Sequence, residues 1–198
     1  MKKGILLPIV TILVFAVLLF GASWCLNGTA AANAQKEHLQ LMQTLLPDST
    51  SFTLEPYSGE DTNIRSVHKA ENGYVIETVT YGYAGEITML IGVSNAGKVT
   101  GLVVRDMSET YGLGLEALTD VEFLRQFLNS SGSFAVATSG ADAFSGATAA
   151  AEPEGDTVDV DALTGATVTS KAIVRCVNSA VAYVTGADAV SAATSWGG

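Results

Sequence analysis

Hydrophobic residues are concentrated at the start of this 198-residue chain. From Gly4 to Leu26 the sequence contains no charged residue, and it would be apolar on every side of a helix. About 20 apolar residues are enough to cross the hydrocarbon core of a bilayer as a helix. The pattern therefore predicts one transmembrane helix, and we assign residues 1–29 to an N-terminal membrane anchor.

The flanking charges predict the orientation of this anchor. Lys2 and Lys3 precede the apolar segment, and the next cation is Lys36. By the positive-inside rule, the N-terminus would stay in the cytoplasm and residues 30–198 would lie on the extracytoplasmic side of the cell (inner) membrane. A cleaved signal peptide is the alternative, because "ANA" at 32–34 imitates a cleavage site. The apolar core of such a peptide has about 7–15 residues, fewer than this segment has.

The hydrophobic pattern becomes amphipathic after the anchor. Residues 30–46 have helical periodicity, and Pro47 would end that helix. The apolar positions on one side of it are Leu39, Met42, Leu45 and Leu46. We expect this helix to continue directly from the anchor.

Alternation typical of strands follows the helix. β-branched and aromatic residues recur at every second position, and turn residues separate the runs at 71–73 and 95–97. Three-residue loops that contain glycine are typical of hairpins, so we predict antiparallel sheet and not parallel βαβ units. The predicted strands cover residues 66–70, 74–85, 86–94 and 98–107.

The next segment contains a helical pattern and then an irregular one. Apolar positions after Asp120 recur at helical spacing as far as Leu128, and Asp120 is suited to be the N-cap. Residues 129–151 are rich in Ser, Gly, Ala and Thr, so we predict a long loop there.

The last regular elements are a strand and a helix. Residues 156–163 alternate as a short strand does, and residues 169–184 carry an apolar stripe at helical spacing. Thr169 or Ser170 would cap the start of this helix, and Gly186 would end it. The chain is thus predicted to be α+β, with one transmembrane helix followed by a small antiparallel-sheet domain with packed helices.

Composition excludes several functions. The formal net charge of −10 argues against nucleic-acid binding, which requires a basic surface. The two cysteines, Cys25 and Cys176, form no metal or disulfide framework, and His38 and His68 have no metal-ligand spacing. No Ser/His/Asp order or pair of acids in a recognisable frame indicates a hydrolase.

A short motif occurs twice near the C-terminus. The pattern D-x-x-[ST]-G-A-T covers residues 142–148 and again 161–167. The second copy runs from a predicted strand through a glycine turn to a helix N-terminus, where backbone N–H groups and the helix dipole favour an anion. Small residues leave room for a phosphate, and hydroxyls could bond or esterify it. The residues concerned are Asp161, Thr164, Gly165, Ala166, Thr167, Thr169 and Ser170. A capped helix after a tight turn, without a ligand, is the alternative.

The first copy lies in a different context. Thr148 is followed by Pro153, which disfavours a helix at this point. Three acids, Glu152, Glu154 and Asp156, would repel a nearby phosphate. We therefore interpret residues 142–148 as a copy of the motif that lies in a loop and does not form the site.

The second copy resembles the flavinylation motif of the FMN-binding domain family, D-x-x-[ST]-G-A-[ST]. In that family, the last Thr of the motif is attached to FMN through a phosphoester. The resemblance therefore implies covalent FMN on Thr167. It also implies that a flavin transferase makes the bond and recognises Asp161, Thr164, Gly165 and Ala166.

Other segments extend this resemblance. Residues 82–101 are similar to the glycine-rich strand pair of the family, with Gly82 and Gly85 at the expected places. Residues 108–115, "SETYGLGL", resemble an E-T-P-G-L-G loop that lies against the flavin, with Tyr111 in place of proline. The loop residues that the resemblance assigns to FMN are Glu109, Thr110, Gly112, Leu113 and Gly114.

Within the family, the motif, the loop and the apolar N-terminus together resemble the G subunits of Rnf-type complexes. This implies an electron carrier, a relay with no independent catalysis, within a membrane-bound, ion-translocating ferredoxin:NAD oxidoreductase. Its partners would be other membrane subunits and the flavin transferase. Two alternatives stay open: a free-standing membrane-anchored FMN reductase, and an extracytoplasmic binding domain without flavin.

Overall fold

The structure is a computed structural model. It describes residues 3–111, 114–115, 120–137, 157–163 and 165–186, without the side chains of residues 3–11 and 22–32. The chain divides into two units, Met1–Leu41 and Met42–Gly198, and each is described by itself.

Helix α1, Lys3–Leu45, runs without interruption from the apolar segment into the amphipathic one, as expected. Its described apolar side chains between Ile12 and Phe20 are exposed. Among the residues that the structure describes, no helix has both the length and the hydropathy needed to cross a membrane.

In the second unit, the first five described strands form an antiparallel sheet in which each strand pairs with the next along the chain. The strands are β1 (Thr53–Glu55), β2 (Ile64–Lys69), β3 (Gly73–Tyr81), β4 (Glu86–Ser94) and β5 (Val99–Met107). The two hairpins predicted around the turns at 71–73 and 95–97, β2–β3 and β4–β5, are confirmed. Strand β3 also pairs with β4, across residues 82–85, which were wrongly predicted to be strand. At the β4–β5 turn, Gly97 has φ 76°, a conformation that favours glycine. Strand β1 was not predicted, because three residues carry too little alternation.

Helix α3, Thr167–Thr185, covers one face of this sheet. Sheet residues such as Ile76 and Ile91 join Ile173 and Val177 of the helix in one buried core. Burying such side chains contributes about 1.5–3 kcal/mol each. The core therefore fixes the start of α3 relative to the ends of the strands.

The end of α1 packs against the opposite face. The hydroxyl of Thr100 donates to the carbonyl of Leu45 at 2.5 Å, and Gly92 lies so close to Leu45 that a side chain would not fit. Of the four apolar positions predicted in this helix, Met42, Leu45 and Leu46 are buried, whereas Leu39 is 43% exposed.

A second, smaller sheet corrects two predictions. Residues Ser133–Ala137 form strand β6 within the predicted loop, and β6 pairs in parallel with β7, Thr157–Asp161. The pairing is therefore not antiparallel throughout the described strands. Asn178 of α3 explains where β6 sits, because its side chain accepts from the N–H of Phe134 and donates to the carbonyl of Phe134. That partner is distant in sequence, so local alternation could not reveal it.

The helix ends correct further details. Helix α2, Val121–Arg125, is shorter than predicted, although Asp120 caps it by accepting from two backbone N–H groups. Helix α3 begins earlier than predicted, with Ala166 at the N-cap and no side-chain cap bond, so the Thr169 and Ser170 caps were wrong. Gly186 ends α3 in the left-handed conformation with φ 71°, which confirms that prediction.

Candidate functional site

The second motif copy forms a tight connection between β7 and α3. Strand β7 ends at Asp161 and α3 begins at Thr167. Within the connection Gly165 has φ 78°, and the N–H of Ala166 donates to the carbonyl of Leu163 at 3.0 Å. The predicted order of strand, turn and helix is confirmed, and the left-handed φ gives the physical reason for glycine in the motif.

Ser170 holds this turn against the first turn of α3. Its hydroxyl donates to the carbonyl of Ala166 at 3.0 Å and accepts from the N–H of Leu163 at 3.2 Å. The Ser170 side chain is fully buried. The hydroxyl thus bonds to the turn, which is why it does not cap the helix.

The start of α3 is an electropositive helix end. The first backbone N–H groups of a helix have no partner within it, and Ala166 provides no side-chain acceptor for them. The first turn contains no acidic residue that would balance the helix dipole. An anionic group placed beside Thr167 would therefore be stabilised.

A cavity of about 360 Å³ opens at this helix end. It brings together the 161–167 motif and the 108–115 loop, which are far apart in sequence. Its described lining consists of Tyr83, Glu109, Thr110, Gly114, Gly165, Ala166, Thr167, Val168 and Thr169. Seven of the predicted site residues thus line one cavity, while Thr164, Gly112 and Leu113 lie outside the described residues, as do residues 142–148.

Glycines shape the cavity around Glu109. A Cβ at Gly82 would collide with Oε1 of Glu109, and a Cβ at Gly114 would lie 2.7 Å from Oε2 and 2.8 Å from the hydroxyl oxygen of Thr169. A side chain at either position would displace the Glu109 carboxylate from the place where the loop meets the β3–β4 turn.

A model of the FMN-binding domain matches residues 82–182, from Gly82 beside the cavity to the later turns of α3. The chain belongs to the FMN-binding domain family.

Relatives with this domain are parts of larger complexes. The chain is 33% identical over 165 residues to the G subunit of an ion-translocating oxidoreductase complex of Methanosarcina acetivorans, covering 77% of this chain and 76% of that protein. It is 35% identical over 112 residues to the G subunit of the proton-translocating ferredoxin:NAD(+) oxidoreductase complex of Clostridium ljungdahlii, covering 57% of this chain and 53% of that one. For the Na(+)-translocating counterpart of Acetobacterium woodii, the identity is 34% over 118 residues, 55% and 47% of the two chains. The match thus spans about half the length of the latter two relatives.

The FMN-binding domain of this chain fits its cofactor in charge and space. The α3 N-terminus favours a phosphate, Gly165 keeps the adjacent turn free of a side chain, and the Thr167 side chain lines the cavity. The loop around Glu109 forms the opposite wall. These residues could hold FMN with its phosphate at the helix end.

Asp161 is a predicted site residue that the structure describes but that does not line the cavity. It is exposed, and its backbone is held by Gln126, whose side-chain oxygen accepts from the Asp161 N–H at 2.8 Å. This places the Asp161 carboxylate on the surface beside the turn, where another protein could contact it.

Tyr83 lines the cavity and was not predicted. It lies between Gly82 and Gly85 in the β3–β4 turn and is 73% exposed. An aromatic residue between two closely packed glycines was a signal available in the sequence, because such a turn holds its intervening side chain outward.

Proposed function

We propose that this protein is an electron-carrying flavoprotein subunit of a membrane-bound, ion-translocating electron-transport complex, with FMN joined to Thr167 by a phosphoester. The observation that carries the proposal is the position of Thr167 at the N-terminus of α3, in the wall of the cavity that the Glu109 loop completes. The names of the relatives, G subunits of ion-translocating and ferredoxin:NAD(+) oxidoreductases, support the wider role.

Different residues of the chain would hold different parts of the cofactor. The N–H groups at the start of α3 would bind the phosphate, while the walls formed by Glu109, Thr110 and Gly114 would position the remainder and limit its contact with water. When bound, FMN supplies the capacity to accept and pass electrons one or two at a time. The protein supplies position, hydrogen bonds and local charge.

The membrane anchor and the maturation partner belong to the same proposal. The uncharged run from Gly4 to Leu26 supports an anchor in residues 1–29, with the FMN-binding domain on the extracytoplasmic side. A covalent bond would keep FMN from being lost to the bulk solvent there. The exposed Asp161 supports recognition of the turn by a flavin transferase, and other membrane subunits would exchange electrons with the flavin.

Flavin fluorescence on a denaturing gel tests the linkage. The protein coexpressed with a flavin transferase should give a fluorescent band that survives boiling, and Thr167→Val should abolish it. Thr169→Val removes a hydroxyl from the wall of the same cavity and should keep the fluorescence. Thr148→Val, in the other motif copy, should also keep it.

The linkage to Thr167 is wrong if the Thr167→Val band stays fluorescent. Mass analysis of the peptide that contains residues 161–171 provides the direct check, because esterification adds FMN less one water. A colourless wild-type protein under these conditions would favour the alternative of a binding domain without flavin.

A further inference from the structure

The carboxylate of Glu109 is held in a fixed place at the cavity wall. The N–H of Ala84 donates to both of its oxygens, at 3.2 Å to Oε1 and 3.3 Å to Oε2. Gly82 and Gly114 leave the slot that the carboxylate fills. A charge-assisted bond and close packing together restrict the rotation of this half-buried side chain.

No cationic side chain in the described part of the site compensates this charge. Glu109 is the one carboxylate among the described lining residues, and none of these residues is a lysine or an arginine. The ion pairs found among the described residues involve Glu55, Glu77, Glu86 and Glu122, but not Glu109. Its negative charge therefore lies in the cavity wall, with no cationic side chain beside it among the described lining residues.

We propose that Glu109 lowers the redox potential of the flavin held in this cavity. This inference rests on the proposed function. Reduction adds electrons to the flavin, and a fixed negative charge beside it makes that addition less favourable. The effect is larger in a partly buried cavity than on an open surface, because less water screens the charge.

Glu109→Gln tests this with little change of shape. The glutamine oxygen can still accept from the N–H of Ala84, so the loop keeps its anchor while the charge is removed. Spectroelectrochemical titration of the FMN-loaded protein should show the reduced-to-oxidised ratio at a fixed potential rising about tenfold. For a two-electron couple this is an upward shift of about 30 mV.

Glu122→Gln is the matched control. It removes the same charge from a side chain that is 87% exposed on α2 and outside the cavity wall. It should leave the potential at the wild-type value. An equal shift in both variants would contradict the inference, because net charge and not the position of Glu109 would then be responsible.

The loading state separates this inference from the proposed function. Wild-type protein and variants are first checked by mass for FMN on the peptide of Thr167, and a wild-type protein without it overturns the proposed function. If FMN is present and Glu109→Gln has the wild-type potential, the proposed role of Glu109 is wrong, whereas the proposed function still stands.

If Glu109→Gln does not load with FMN, the variant Glu109→Asp provides the test. Aspartate keeps the negative charge but places it one methylene group further from the cavity, so the redox potential should rise by less than in Glu109→Gln. An unchanged potential in Glu109→Asp would contradict the inference.

Discussion

At the scale of single residues, the site depends on three glycines. Gly165 has a left-handed φ of 78°, and Gly82 and Gly114 give Glu109 its place. The motif could indicate the first of these from sequence, because its turn precedes a helix. The contacts of Gly82 with Glu109 and of Gly114 with Thr169 link residues that are far apart in the chain, so they follow only from the fold.

Cys176 provides a residue-scale prediction about pH. Burial raises the pKa of this thiol to about 11 from 9.0, because the interior disfavours the thiolate. The folded state therefore keeps the proton while the unfolded chain loses it. The stability that depends on this proton is complete below about pH 9 and is lost as the pH rises towards about 11.

A rise of about two pKa units corresponds to about 3 kcal/mol in total, since one pKa unit corresponds to about 1.4 kcal/mol. About 2 kcal/mol of this should be lost between pH 8 and pH 10.5. Urea unfolding of the wild-type protein and of Cys176→Ala, each at pH 8 and at pH 10.5, would measure it. The wild-type protein should lose more stability than the variant between these values. Equal losses would show that the Cys176 proton is not linked to folding.

At the scale of elements, local patterns predicted the regular structure where each element carried its own signal. Strands β2 to β5 and the stripe of α3 are long enough for the alternation or the helical period to be read. Strands β1 and β6 are shorter, and β6 depends on the side chain of Asn178 and on pairing with β7. The start of α3 was predicted too late in the chain because Thr169 or Ser170 was expected to cap the helix. The Ser170 hydroxyl instead donates to the carbonyl of Ala166 in the turn.

The junction of β7 and α3 gives an element-scale prediction. Ser170→Ala should leave the N–H of Leu163 without its acceptor, at a cost of about 1–3 kcal/mol, and should loosen the turn that presents Thr167. The rate at which a flavin transferase loads the protein should fall several-fold. In-gel flavin fluorescence against time measures this rate.

Ser179→Ala is the control on the same helix. Ser179 is also buried, and its hydroxyl accepts from the side chain of Asn63 at 3.3 Å, away from the cavity. This variant should lose stability but load at the wild-type rate. If both variants load equally slowly, helix stability and not the position of the turn limits flavinylation.

At the scale of the whole molecule, the chain combines an apolar N-terminal helix with an FMN-binding domain that has its own core. That core lies between the sheet and α3, and its described members begin at Ile64. On the other face, Leu45 and Leu46 are buried. Removing the apolar segment should therefore leave the interior of the domain complete.

A protein lacking residues 1–29 should stay in the soluble fraction, unfold cooperatively and take up FMN on Thr167. The full chain should sediment with membranes. Fractionation followed by in-gel fluorescence measures both properties. A full-length protein in the soluble fraction would contradict the membrane anchor, and a truncated protein that does not fold would place part of the domain before residue 30.

The sequence by itself determined the properties that repeat locally or that a motif carries. The apolar segment, the hairpins, the period of α3 and the turn before Thr167 each depend on neighbouring residues, so they could be predicted. The tertiary structure decided which of these meet. It placed Glu109 against Gly82 and Gly114 against Thr169, and it paired β6 with β7. Contacts between distant segments arise from packing of the common core, and this is why the cavity and the fixed charge in its wall required the folded chain.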